Sequence, residues 1–277
     1  MDDKISLEDI AGDDVMQHLS MHHFSLMTSL FSVLNATRAG DPNNVIAHYF
    51  LEHFDELADL NIYDVVEACY TSRSGIRRFC QEIGFENFTG IKYSAYEWKR
   101  QSDYFLGYAR HDDYRSYLPD RLGKMCETIN QLIDERTLVK LATVMHEANE
   151  VVLAATDFSA TALRDFQQAM LVMHKIVRVF TDAVGDEEVF DILGPRDIVL
   201  VTSATGNYAR VARPRIEGLS AQRVLITMNQ DPALAEPYDT VLYLSRKDLK
   251  TSRSVYAKYG VNYLFDLLYN VYCRLYG

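Results

Sequence analysis

Arg73, Ser74, Arg77 and Arg78 fall in one short stretch of a 277-residue chain, and their chemistry is that of a duplex reader. A guanidinium bonds a guanine edge bidentately or a phosphate oxygen, and a serine hydroxyl bonds either. The surroundings are basic as well: residues 70–100 carry Arg73, Arg77, Arg78, Lys92, Lys99 and Arg100 against Glu82, Glu86 and Glu97. From Met1 to Cys69, only Lys4 and Arg38 oppose thirteen acidic residues. The whole chain holds 28 Lys and Arg against 39 Asp and Glu, a net charge of −11, so it repels phosphate everywhere except at a local patch. Charge alone leaves a second reading open, a solvated helix face.

A different chemistry sits at Thr202-Ser203-Ala204-Thr205-Gly206-Asn207-Tyr208, directly after the apolar run DIVLV. Hydroxyls and free backbone N–H groups at a strand-to-helix turn form a cradle for an anion. A simple turn uses the same residues. Cys69, Cys80, Cys126 and Cys273 form no C-x-x-C pair and no H-E-x-x-H motif occurs, which fits reduced thiols and assigns neither metal nor cofactor. His22 and His23 are neighbours, and adjacent helix positions point apart.

The elements that must position these residues fall into two styles. Up to about Ala148 the apolar residues recur at helical spacing, as in Phe24, Met27, Phe31 and Leu34, or Val45, Tyr49 and Phe54. From Val151, short apolar runs (VVLAA, IVRVF, DIVLV, RVLITM, TVLYL) alternate with helical stretches such as Leu163 to Met173 and Tyr208 to Leu219. That alternation predicts a parallel sheet of about five strands covered by helices on both faces. A last helix from about Ser252 presents Tyr256, Tyr263, Leu264, Leu267, Leu268 and Val271 on one apolar face. The fold class is therefore α followed by α/β in three layers. Its domains are expected at 1–98 (helical) and 127–277 (α/β), joined by a connection at 99–126 that contains Pro119. The acidic start MDDKISLEDI and the lack of a long apolar run make a cytoplasmic protein, without a membrane partner, the expectation.

Within the helical half, Ile62, Val65, Val66 and Cys69 mark one helix, and Tyr70-Thr71 a tight turn. Ser72 then caps a second helix by accepting an N–H near Gly75. Ile76, Phe79, Cys80 and Ile83 form its buried face, and Gly84 ends it. Two short helices joined by a tight turn, with Arg and Ser opening the second, meet the needs of a major-groove reader. An ordinary helical hairpin has the same outline.

This segment resembles the amino-terminal helix-turn-helix of RpiR-type bacterial transcriptional regulators, in which a pattern close to S-x-x-T-x-x-R-F-x-x-x-x-G-F-x-x-F-x-x-x-K closes the DNA-binding domain. Ser72, Arg78, Phe79, Gly84, Phe85, Phe88 and Lys92 stand at those spacings, and Gly75 replaces the Thr. The replacement costs about 1 kcal/mol of helix propensity and removes a hydroxyl from the DNA side. The resemblance implies DNA contacts from Ser72, Arg73, Ser74, Arg77, Arg78 and Lys92, with the three Phe residues in the core.

Regulators of this type carry a sugar isomerase (SIS) domain after the helix-turn-helix, and the second half resembles one over nearly its whole length. Against the SIS loop pattern S-x-S-G-x-T, Ser203 and Gly206 match, Thr205 keeps a hydroxyl, and Tyr208 replaces the closing Thr. After the first strand the family has G-x-G-x-S, and here only Ser159 survives, with Ala155 and Asp157 in place of glycines. Near the last helix, Ala257 and Lys258 stand where the family often has Ser-Arg. The implied effector contacts are Ser159, Ser203, Thr205, Gly206, Asn207 and Lys258. Either the pocket takes an altered anionic ligand or the domain serves assembly alone.

The combined expectation is a homodimeric or homotetrameric regulator that binds a roughly palindromic double-stranded operator and answers to a phosphorylated sugar. The rival is an SIS-fold sugar-phosphate isomerase or binding protein, which would need a positioned base. His174 is expected inside the first helix of the α/β half, Glu236 lacks an evident partner, and Ser245-Arg246-Lys247-Asp248-Leu249 lacks the Glu that catalytic relatives carry. The expectation is therefore no enzyme and no catalytic residue.

Overall fold

The computed structural model describes residues 26–95, 109–181, 187–249 and 254–277, which separate into two units, one within His22–Tyr114 and one covering Arg115–Gly277. The sequence boundary at 98/99, Lys99, Arg100, His22, His23 and the side chain of Asp157 lie outside the described residues.

The first unit is helical throughout its described length: α1 (Leu26–Ala36), α2 (Pro42–Glu52), α3 (Ile62–Ala68), α4 (Arg73–Glu82) and a helical run at 88–95. The starts of α2 and α3 are chemically marked. Asp41 caps α2 by accepting from Asn43 N at 2.8 Å, ahead of Pro42, and Asn61 caps α3 by accepting from Tyr63 N at 3.0 Å. Leu30, Ile46, Phe50, Leu57, Val65, Ile76, Phe79 and Ile91 form one core, with Phe50 edge-on to Phe79 and stacked on Phe88, each at 5.8 Å. In α1 the most deeply buried apolar residues are Leu26 and Leu30 while Phe31 is 45% exposed, and in α2 Ile46, Ala47 and Phe50 are buried with Val45 and Tyr49 packed, half-buried, against the same core. The small buried residues Thr28, Ser29 and Ala47 turn the two helices toward each other, and Asn44 Nδ2 fastens the pair by donating to Thr37 Oγ1 at 3.0 Å.

The second unit opens with α5 (Tyr114–Leu132) and α6 (Glu135–Glu147). Pro119 lies inside α5, which runs unbroken across the position 126/127. Then follow β1 (Val151–Ala155), α7 (Asp157–Val172), β2 (Arg178–Thr181), α8 (Glu188–Asp191), β3 (Ile198–Thr202), α9 (Asn207–Ile216), β4 (Gln222–Thr227), α10 (Pro232–Ala235) and β5 (Thr240–Tyr243). A π-helical turn at Tyr256–Gly260 leads into α11 (Val261–Tyr276). All neighbouring strands are parallel, in the order β2-β1-β3-β4-β5. Every residue of β1 and β3 is buried, as a centre covered on both faces requires. The chain leaves β1 toward β2 and returns on the other side to β3. The carboxyl ends of β1 and β3 thus flank the switch point, where open α/β sheets bind ligands.

α7 extends further back than Leu163, and His174 lies beyond its end, not inside it. His174 takes a positive φ of 56°, and the bonds from His174 N to Leu171 O and Lys175 N to Met170 O close the helix. Consequently Ile176 is 76% exposed, and the strand begins at Arg178 instead.

Candidate nucleic-acid interface and strand-end loop

In the helical unit, α3 ends in a tight closure: Thr71 N bonds Val66 O at 3.1 Å and Tyr70 N bonds Glu67 O at 3.2 Å. Tyr70 occupies the left-handed position with φ 49°, where glycine is usual. Ser72 is extended, and its Oγ accepts from Gly75 N at 3.1 Å, so α4 starts at Arg73 as the sequence predicts. α4 ends in the same kind of closure, with Gly84 at φ 86° and Phe85 N on Cys80 O at 2.8 Å. Ile76, Phe79, Cys80 and Ile83 are buried, and burial pushes the Cys80 thiol up to about 12, so it stays protonated and inert.

The opposite face of α4 carries Arg73, Ser74, Arg77 and Arg78, all exposed. Among the described residues none of these arginines pairs with a carboxylate. Arg73 instead lies over the Tyr63 ring, 5.5 Å from its centroid. Gly75 has a packing reason: a Cβ there would collide with the Thr71 hydroxyl. Lys92 is half-buried on the helical run at 88–95, and Phe79, Phe85 and Phe88 are buried.

In the α/β unit the loop after β3 is heavily bonded. Ser203 is buried, and its Oγ accepts from Ala209 N at 3.1 Å, capping α9. Thr227 Oγ1 donates to Ser203 O at 2.7 Å, and Asn229 Nδ2 donates to Thr205 O at 2.8 Å. Gly206 has φ 90°, and a Cβ there would lie 2.7 Å from Leu234 Cδ2 and 2.8 Å from Asn229 Nδ2, so only glycine fits this turn. Asn207 and Thr205 are half-buried; Asn207 Oδ1 accepts from Arg210 at 3.1 Å, and Arg210 lies 3.5 Å from Asp231. Thr202 Oγ1, at the end of β3, is buried with no bonding partner among the described residues. The structure thus brings Ser203, Thr205, Gly206 and Asn207 together at one end of β3. Ser159 is buried in the first turn of α7, after β1. Lys258 is exposed with its ammonium 5.0 Å from the Tyr259 ring centroid.

Sequence reasoning missed Tyr63, Asn229 and Arg210. Asn229 reaches the loop only because β3 and β4 pair in a register that sets Thr202 beside Ile226, and no local signal announces that. Glu236 also gains a partner, Arg213 at 2.9 Å, which makes it a surface ion-pair member. Among the described residues no set of three His, Cys, Asp or Glu is placed to hold a metal. No helix among them is long and apolar enough to cross a membrane.

Fold and loop together define a class: a helical unit in which two short helices are joined by a tight turn, followed by a five-stranded parallel α/β unit with its loop at the switch point. Among solved structures, the chain is similar to the Vibrio vulnificus NanR protein complexed with ManNAc-6P, at 17% identity and a TM-score of 0.47, over 91% of this chain and 92% of that one. It is also similar to the sugar isomerase domain of an RpiR transcription factor from Sphaerobacter thermophilus, at 16% identity and 0.44, over 57% and 89% of the two chains. A Methanococcus jannaschii protein with an inferred function of 3-hexulose-6-phosphate isomerase shows 14% identity and 0.45, over 56% and 89%. No family model matches, and no curated protein matches. Likeness at this level assigns neither family nor activity.

Proposed function

We propose that the chain is a DNA-binding transcriptional regulator of sugar or sugar-phosphate genes, not an enzyme, whose α/β unit receives a phosphorylated sugar at the carboxyl ends of β1 and β3. The observation that carries this reading is the outer face of α4: three exposed arginines without carboxylate partners among the described residues, in a chain of net charge −11. An acidic protein has abundant carboxylates to neutralise such a face, and unpaired guanidinium groups suit a polyanionic partner. Arg73, Ser74, Arg77 and Arg78 then meet base edges and phosphates, with Ser72 and Lys92 at the margins.

A homodimer or homotetramer would present two such helices to a roughly palindromic operator with half-sites about 34–36 Å apart. In the α/β unit, Thr205, Asn207 and the N–H groups around Gly206 would face the phosphate, with Ser159 from the neighbouring strand end; Ser203 holds the loop in shape and Lys258 supplies charge. Control is allosteric only where the ligand prefers one arrangement of the DNA-reading heads.

Selection from a random duplex library by the purified chain tests the reading. A palindromic sequence should be enriched, and Arg73→Ala with Arg77→Ala should abolish its preference over bulk duplex while leaving the oligomer intact. Unchanged affinity in that variant removes α4 as the reader.

A further inference from the structure

Tyr70 is 96% exposed and takes a positive φ of 49°, a conformation that disfavours any residue with a Cβ. The chain accepts this at the one position in the closure of α3 where glycine is standard, and among the described residues the ring gains no hydrogen bond, stacking partner or ion pair in return. A residue that costs stability and leaves its ring almost wholly in solvent points outward, to a partner. Its location names the partner's chemistry. Tyr70 lies two residues before the Ser72 cap of α4, and the exposed side chains that follow are Arg73, Ser74, Arg77 and Arg78. Of the charges near it in sequence, Asp64 and Glu67 precede it on α3, whereas the next three along α4, Arg73, Arg77 and Arg78, are positive.

We infer that Tyr70 is a DNA-contacting residue whose phenolic O–H donates to a backbone phosphate beside the groove entered by α4. The inference rests on the DNA-reading function proposed above. A neutral hydroxyl on phosphate has a distinct signature: it adds affinity equally for all sequences and leaves the salt dependence unchanged, because no counterion-releasing charge is involved.

The experiment uses the full-length chain, the duplex enriched by selection and a scrambled duplex. Tyr70→Gly relieves the backbone and should raise the melting temperature by roughly 2–4 °C, yet bind both duplexes about tenfold more weakly. Tyr70→Phe keeps the ring and should lose the same affinity at unchanged melting temperature. In both variants the slope of log affinity against log salt stays at the wild-type value, whereas Arg77→Ala lowers it by about one. Wild-type affinity in Tyr70→Phe overturns the phosphate contact, and affinity that falls together with melting temperature makes Tyr70 merely structural. Altered self-association of Tyr70→Gly places the ring against a second copy of the chain and also overturns the inference. Failure of the wild-type chain to enrich any duplex is a separate outcome, which removes the DNA-reading function and this contact with it.

Discussion

The Arg73 guanidinium sits 5.5 Å from the centroid of the Tyr63 ring, with Nη1 3.5 Å from the phenolic oxygen. That second distance is too long for a strong hydrogen bond, so the ring face does most of the holding. The Tyr63 backbone is held by the Asn61 cap at the start of α3, so the ring that meets the first arginine of α4 projects from the first turn of α3. An exposed cation–π pair contributes about 0.5–1 kcal/mol. Tyr63→Leu should therefore weaken selected-duplex binding about two- to fivefold, and Tyr63→Phe should not. In an Arg73→Ala background, Tyr63→Leu should have no further effect, as a double-mutant cycle by fluorescence anisotropy would show.

Gly206 makes the loop after β3 sensitive to a single methyl group. Its φ of 90° and the close approach of Leu234 and Asn229 predict that Gly206→Ala costs about 1–3 kcal/mol. Urea denaturation of the α/β unit measures this. A loss below about 0.5 kcal/mol, the range of a neutral surface change, would mean that the loop is far looser than its bonds to Asn229 and Thr227 imply.

Ser203 and Thr205 should behave differently although both carry hydroxyls in one loop. The Ser203 hydroxyl already caps α9 through Ala209 N, so Ser203→Ala should lose about 1 kcal/mol of stability even without ligand. Thr205 meets Asn229 through its carbonyl, and Thr205→Ala keeps that group. Thermal shift with a panel of sugar phosphates should thus show a wild-type melting temperature for ligand-free Thr205→Ala and a reduced ligand shift. No shift of the wild-type protein by any sugar phosphate would favour a unit that serves assembly alone.

Acid stability offers a fourth prediction. The Arg223 guanidinium holds the Asp239 carboxyl below its ordinary value of 3.8, in a pair with contacts at 2.7 and 3.1 Å. Because the folded value is depressed, the pair's contribution is fully present above the ordinary value and is lost as pH falls through the folded one. Asp239→Asn should lower the urea midpoint at neutral pH, and its deficit should shrink steadily below about pH 4. A deficit independent of pH would show that Asp239 acts through its shape instead of its charge.

What the sequence disclosed was mostly local. Ser72, Gly84 and the Ile76, Phe79 and Cys80 face can be read because caps and helix faces depend on neighbours within a turn, and β1 and β3 can be read because their apolar runs are buried on both sides. The depth of burial along α1 and α2 could not be, since adjacent apolar stripes both satisfy helical spacing and the packing around Thr28, Ser29, Asn44 and Ala47 sets Ile46 and Phe50 deeper than Val45 and Tyr49. The same holds for Asn229 on Thr205, Arg213 on Glu236 and Tyr63 under Arg73, pairs set by tertiary geometry. His174 shows a subtler limit: it continues the helical pattern in type, but the chain turns left-handed there.

The most direct test of the central claim is the salt dependence of binding to the selected duplex, compared between the wild-type chain and the Arg73→Ala, Arg77→Ala double variant. The account predicts a steep wild-type slope, shallower by about two in the double variant, with sequence preference lost and the oligomer unchanged. Equal slopes and equal preference in the two proteins would contradict it, and α4 would be an ordinary solvated helix.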